Sequence, residues 1–264
     1  TVNTASVMLM LQGLADSHGT TSPRRVASWD IAGAFVTTKI PTGVLPIFVR
    51  LPKEVVKIWL KFRPEDRQHV LPNGTMIIRL THYLYGLRES PERFQTKLRN
   101  HLVKSGLVQS KADPCVFSLN LDGKISYIAT HVDDILGVLA KGALEHMRKI
   151  LKKEFDITEQ LDDITYLGMQ IKHDYNKTGY VTVHQCGMLD KLLKHRAQQV
   201  TKEYNTPSNA DLPSNEEDSE PIENPKDFRS PVMALMYMAR LTRPDIMHTV
   251  AVLATYSSKP TKQT

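Results

Sequence analysis

The sequence predicts an α+β fold built on a mostly antiparallel sheet. Apolar residues recur at helical spacing in some windows and alternate in others, so helices and strands are both present. The two kinds of segment mix without the regular strand–helix–strand order that a parallel sheet requires. Turn signals such as Asn73-Gly74 separate runs that would pair locally. No internal repeat is present.

Residues 1–20 hold a short apolar run without a basic leader, which reads as a helix in a chain cut from something longer. RRVASWDI (24–31) is a strand ending at Asp30, and the small residues of AGAF bend the chain after it. LPIFVRLP (45–52) is a second strand closed by Pro52, and KEVVKIWLKF is a short helix ended by Pro64. A turn at Asn73-Gly74 leads into a further strand. Residues 90–105 begin Ser90-Pro91-Glu92, with proline at the first helical position. Phe94, Leu98 and Leu102 mark the buried face of this helix, with Arg93, Lys97 and Arg99 off it. CVFSL (115–119) is a strand, and a strand pair flanks Val132-Asp133-Asp134. A helix over 142–155 carries the stripe Leu144, Met147, Ile150, Leu151 and Phe155. ITYLGMQIKHD and GYVTVHQ form a strand pair, 186–199 is a helix, and 228–258 holds two helices broken near Arg243-Pro244.

Composition narrows the class. With 264 residues, 41% hydrophobic and 23% charged, the chain is globular and long enough for a large core. No apolar run approaches the ~18 residues of a membrane span. Cys115 and Cys186 are far apart and lack metal-ligand or redox spacing, which predicts a reduced, intracellular setting. Net charge is +6, yet residues 206–227 hold seven acidic side chains against Lys226 alone, so the remainder is decidedly basic. That acidic, proline-rich stretch reads as a solvated linker, and the basic remainder fits an anionic partner.

The sharpest feature is SYIATHVDDILGVL (126–139), where Asp133 and Asp134 interrupt two runs of buried strand character. A hairpin needs polar turn residues, and aspartate is a usual one. Asp30, however, ends an apolar strand in the same manner. Carboxylates near a core need neutralising, and three of them can converge on a pair of divalent cations. Hard oxygen donors select magnesium or manganese. No zinc-spaced His/Cys cluster, phosphate-binding glycine loop or G-x-S-x-G motif competes.

SWDIAGAF, LYGLRESPERF, SKADPCVF, THVDDIL, YLGMQI and FRSPVMALMYMARLTRPDIMHTVAVLATYSSKPT occur in that order from about residue 25 onward. Together they closely resemble the reverse transcriptases of copia-type retrotransposons. The resemblance implies a right-hand polymerase fold: partial fingers and palm over 1–185, a thumb-like helix over 186–205, an acidic linker over 206–227 and a helical connection over 228–264. It implies an RNA-directed DNA polymerase that uses two ions, Mg2+ or Mn2+, with Asp30, Asp133, Asp134 and the backbone carbonyl of Ile31 as ligands. Phe35 matches the aromatic beneath the incoming sugar, which excludes a 2′-hydroxyl. Tyr85, Gly86 and Arg88 match the nucleotide-binding segment. His131, Val132 and the primer grip Tyr166, Leu167, Gly168 and Met169 are expected to contact the primer, and Arg93 and Lys97 template phosphates.

The implied partners are an RNA or DNA template-primer, deoxynucleoside triphosphates and the integrase and RNase H regions of a Pol polyprotein, with no membrane. Family membership implies a cytoplasmic virus-like particle or the nucleus, although no residue encodes an address. His131 stands where most relatives have Tyr, and Glu89 where Gln is common. An upstream segment that grips the triphosphate in relatives is not matched by Pro23-Arg24-Arg25. A second reading is therefore a catalytically inactive nucleic-acid-binding or assembly module. A two-metal nuclease is weaker, because it leaves LYGL and YLGM without a role.

Overall fold

A computed structural model describes residues 1–194, 205–207 and 220–261. Its centre is a six-stranded antiparallel sheet made of β1 (Arg25–Ile31), β4 (Val108–Gln109), β5 (Val116–Leu121), β6 (Lys124–His131), β7 (Asp134–Leu139) and β8 (Ile157–Leu161). The strand order is β4-β5-β6-β7-β1-β8. The earliest strand is thus inserted between two that come more than a hundred residues later. The α+β, antiparallel expectation describes this architecture.

Helices α3 (Ser90–Lys104) and α4 (Ala143–Lys152) cover one face. Phe94, Leu98 and Leu102 of α3 pack with Met147 and Leu151 of α4 against Trp29, Ile31, Phe117, Ile128 and Ile135. The helical periodicity read for α3 is the buried face itself, and each such side chain contributes roughly 1.5–3 kcal/mol of burial. The other face meets α1 (Thr4–Ala15) and a three-stranded sheet ordered β11-β10-β9, formed by β9 (Asp163–Tyr166), β10 (Met169–His173) and β11 (Val181–His184). Val7, Met10, Leu11 and Leu14 pack there with Ala129, Leu136, Val138, Ile164, Tyr166 and Met169.

The remaining elements lie outside this sandwich. A two-stranded ribbon, β2 (Phe48–Leu51) and β3 (Met76–Arg79), carries α2 (Lys53–Phe62) between its strands. At the C-terminal side are α5 (Cys186–Lys194), α6 (Pro225–Leu241) and α7 (Met247–Thr255).

The structure departs from the sequence reading at four places. The segment 163–173 is a hairpin of two strands, so the expected pair is a three-stranded sheet. Strands β4 and β8 went unread: β4 is two residues long, and β8, ITEQL, lies at an edge of the sheet with three polar residues between its two apolar ones. Helix α6 starts at Pro225, inside the stretch read as linker, because Asn224 caps it by accepting from the Lys226 N–H at 3.2 Å. The break near Arg243-Pro244 is where α6 ends, and Arg243 there pairs with Asp245 at 2.7 Å. The rest of the expected linker, 208–219, and the expected helix over 195–199 lie outside the described residues.

Candidate active site

Register brings the acids together. β1 pairs with β7 so that Asp30 lies opposite Asp134, and β6 pairs with β7 so that His131 lies opposite Asp134. β8 adds Thr158 opposite Asp30. Directly opposed residues share a face, so His131, Asp134, Asp30 and Thr158 form one row across four strands. The row sits on the face away from α3 and α4, at the end where the hydrophobic covering stops. Asp30 is exposed, and Asp133 and Asp134 are half-buried.

The turn is placed one residue earlier than the sequence reading had it. Since His131 pairs with Asp134, its central residues are Val132 and Asp133, and Asp134 is already the first residue of β7. Val132 has φ 56°, and Asp133 is not among the residues with positive φ, the pattern of a type II′ turn. A β-branched residue is an outlier there, at a cost of about 1–2 kcal/mol. The Asp133 carbonyl accepts the Ile31 N–H at 3.2 Å, which ties the turn to the end of β1. On the other side the Ala32 N–H donates to the Asp156 carbonyl at 2.9 Å.

Electrostatics follow from this crowding. The Asp134 carboxyl is pushed up to about 6 by its burial and by the neighbouring charges of Asp133 and Asp30. Burial holds the His131 imidazole below its usual range, and its Nδ1 lies buried without a hydrogen-bond partner. The Tyr166 hydroxyl is likewise buried and unpartnered, and burial together with Asp134 pushes it upward.

As a donor set for cations, these carboxylates are open. Among the described residues no three His, Cys, Asp or Glu side chains gather into a group that could hold a metal ion. Magnesium typically takes one or two protein carboxylates and keeps its remaining positions for water and substrate phosphate. The half-buried Asp134 carboxylate, crowded by the charges of Asp133 and Asp30, is a hard oxygen donor of the kind such a cation takes.

The other expected residues fall around this row. Phe35 is 8% exposed, with its ring centroid 4.7 Å from Tyr85 and 6.2 Å from Phe94, so core packing holds it. Tyr85, at 60% exposure, covers it from outside, and Gly86 and Arg88 follow in the exposed turn that leads to α3. Tyr166, Leu167, Gly168 and Met169 form a hairpin turn in which Leu167 (φ 49°) and Gly168 (φ 72°) both occupy the left-handed region. Arg93 is exposed on α3. Lys97 differs from the free cation expected: its ammonium pairs with Glu154 at 3.2 Å, donates to the Thr37 carbonyl at 3.3 Å and lies 5.2 Å from the centre of the Phe155 ring.

Some supporting residues gave no sequence signal. Behind Asp30, the Trp29 indole donates to Glu159 at 2.7 Å, and Arg148 Nε donates to the same carboxylate at 2.7 Å. The Tyr237 hydroxyl donates to the Leu167 carbonyl at 2.6 Å. Trp29 and Glu159, and Tyr237 and Leu167, are distant in sequence, and neither pair lies within one motif.

Comparison with known proteins gives the class. The sequence profile described as "Reverse transcriptase (RNA-dependent DNA polymerase)" matches residues 21–210, and this chain belongs to that family. With the family comes the right-hand polymerase fold that the resemblance implied. The copia-type affinity is borne out by retrovirus-related Pol polyproteins of plant transposons. That of transposon RE2 from Arabidopsis thaliana is 29% identical over 187 residues, covering 70% of this chain and 12% of the relative. That of transposon TNT 1-94 from Nicotiana tabacum is 26% identical over 198 residues, covering 71% of this chain and 15% of the relative. The chain therefore spans only about an eighth of these polyproteins. A telomerase from Candida tropicalis, solved with a fragment of telomeric RNA, covers 96% of this chain and 40% of its own at 10% identity. Its TM-score of 0.35 is too low to bear on fold or function.

Proposed function

We propose that this chain carries the polymerising centre of an RNA-directed DNA polymerase of a retrotransposon, which joins deoxynucleoside triphosphates to a primer 3′-hydroxyl on an RNA or DNA template. The observation that carries this reading is the row that opposes Asp30 to Asp134 with Asp133 in the adjoining turn. Asp30, Asp133, Asp134 and the Ile31 carbonyl would hold the two magnesium or manganese ions of that reaction. When bound, the ions supply Lewis-acid stabilisation of the attacking and leaving oxygens.

The chain's own residues then bind and orient. Phe35, fixed between Phe94 and Tyr85, presents a rigid edge that leaves no room for a ribose 2′-hydroxyl. Tyr85 and Gly86 border the incoming nucleotide, and the Arg88 guanidinium forks onto its phosphates. His131 and Val132 approach the primer from the turn, and the hairpin Tyr166–Met169 holds its terminal nucleotide. Arg93 takes a template phosphate; Lys97, already paired with Glu154, contributes to the template side only by bracing α3. The lobes follow the sequence reading, with palm and partial fingers over 1–185, and integrase and RNase H are partners from elsewhere in the polyprotein.

The test is extension of a primed homopolymer RNA with magnesium or manganese, beside Asp133→Ala/Asp134→Ala. The double variant is expected to lose at least about a hundredfold in rate. Metal-dependent extension that survives the double substitution, or Asp133→Asn alone, overturns the assignment.

A further inference from the structure

We propose that Tyr237, on helix α6, is a positioning residue for the primer terminus, acting through the Leu167–Gly168 turn. The inference rests on the reading of that turn as the element that holds the primer's end.

The turn does not hold its shape by itself. Two-residue hairpin turns with both central residues at positive φ favour Asn, Asp or Gly, because other side chains crowd the backbone there. Gly168 meets this requirement, and Leu167, at φ 49°, does not. What holds it comes from outside the hairpin. The Tyr237 hydroxyl donates to the Leu167 carbonyl at 2.6 Å, and the edge of its ring lies 3.9 Å from where a Cβ on residue 168 would stand. Tyr237 thus grips the turn at its carbonyl and leans on it at its glycine.

Helix α6 is a firm support for such a grip. Val232, Met238 and Ala239 are buried, and Leu241 packs against the core cluster that contains Tyr166 and Met169. Just past the helix, the Thr242 hydroxyl donates to the buried Gln185 side chain at 3.0 Å. The turn in turn fixes Tyr166, which is 1% exposed, belongs to the same cluster as Leu136 and feels the Asp134 charge. A shift of the turn therefore changes the distance between the primer's end and the acids. Tyr237 itself is 39% exposed, so removing its hydroxyl leaves the core intact.

The test uses the full chain and an RNA–DNA duplex with a recessed primer that carries 2-aminopurine at its 3′ terminus, without nucleotides. The wild-type protein is expected to change the fluorescence of the terminal base and not of the same base placed deep in the duplex. Tyr237→Phe, which keeps the ring, is expected to lose most of that terminal signal and about two- to tenfold in affinity for the recessed primer. Its melting temperature and its affinity for single-stranded RNA should stay at wild-type values. Tyr237→Leu, which removes the ring as well, should lose more. A Tyr237→Phe protein equal to wild type in signal and affinity overturns the role of Tyr237 and leaves the primer-holding hairpin standing. An equal loss on single-stranded RNA also overturns it, as a general weakening. A wild-type protein that leaves the terminal base as in free duplex overturns the hairpin reading and this inference together.

Discussion

Asp134 is the residue on which the electrostatics of the row converge. Its carboxyl is raised to about 6 in the folded chain, against 3.8 for an unperturbed aspartate. Between these two values the folded state keeps the proton and the unfolded state has lost it. In the absence of cations, stability therefore falls as pH rises through this window and levels off above pH 6. Asp134→Asn removes the repulsion and should be about 1–2 kcal/mol more stable than wild type at pH 7, a gap that closes toward pH 4. Urea unfolding in chelator at the two pH values measures it, and added magnesium should narrow the gap at neutral pH by stabilising only the wild type. The identities of the acids were legible in the sequence because carboxylates among apolar strand residues are costly. Their geometry was less so: the turn was read at Asp133-Asp134, whereas pairing of His131 with Asp134 moves it to Val132-Asp133. Lys97 was expected at template phosphates from its place off the apolar face, which could not reveal Glu154, far along the chain.

Among the elements, the pair β1 and β7 decides whether the acids face each other. Gly137 sits between Ala27 and Ile128 in the paired strands, and a Cβ there would stand 2.9 Å from Trp29 Cζ3 and 3.1 Å from Leu139. Trp29 cannot retreat easily, since Glu159 holds its indole from β8 and is itself held by Arg148. Gly137→Ala should cost about 1–3 kcal/mol, seen as a melting temperature lower by roughly 2–10 °C. Helix α3 and the strand cores were readable because they bury one regular face. Strand β8 was not, since an edge strand buries too little to impose an apolar pattern on ITEQL. The brace from α6 to the 166–169 hairpin was invisible for another reason: 70 positions separate Tyr237 from Leu167, and no local pattern records such a contact.

At the scale of the molecule, charge is uneven. Net charge is +6 even though residues 206–227 hold seven acidic side chains, so the rest of the sequence carries the excess of lysine and arginine. Affinity for a primed template should accordingly fall at least about tenfold between roughly 50 and 200 mM salt, which a titration by fluorescence anisotropy measures. Deleting 206–219, which removes four carboxylates and no basic residue, should tighten binding to non-specific duplex at low salt. The α+β class and the order of motifs were legible at this scale because they depend on local pattern and sequence order. The position of β1 in the sheet was not, because pairing partners in an antiparallel sheet are set by the packing of the whole chain.

That position carries a cost during biosynthesis. β1 is flanked on one side by β7 and on the other by β8, whose last residue is Leu161. At about 5–20 residues per second, a ribosome that has just made β1 needs on the order of ten seconds to make both neighbours. Throughout that interval the nascent polypeptide exposes an apolar segment, with Val26, Ala27 and Trp29 destined for the interior, and both its edges are open to the wrong partner. Slower translation or added chaperone should therefore raise the soluble yield, a consequence of where β1 ends up in the sheet.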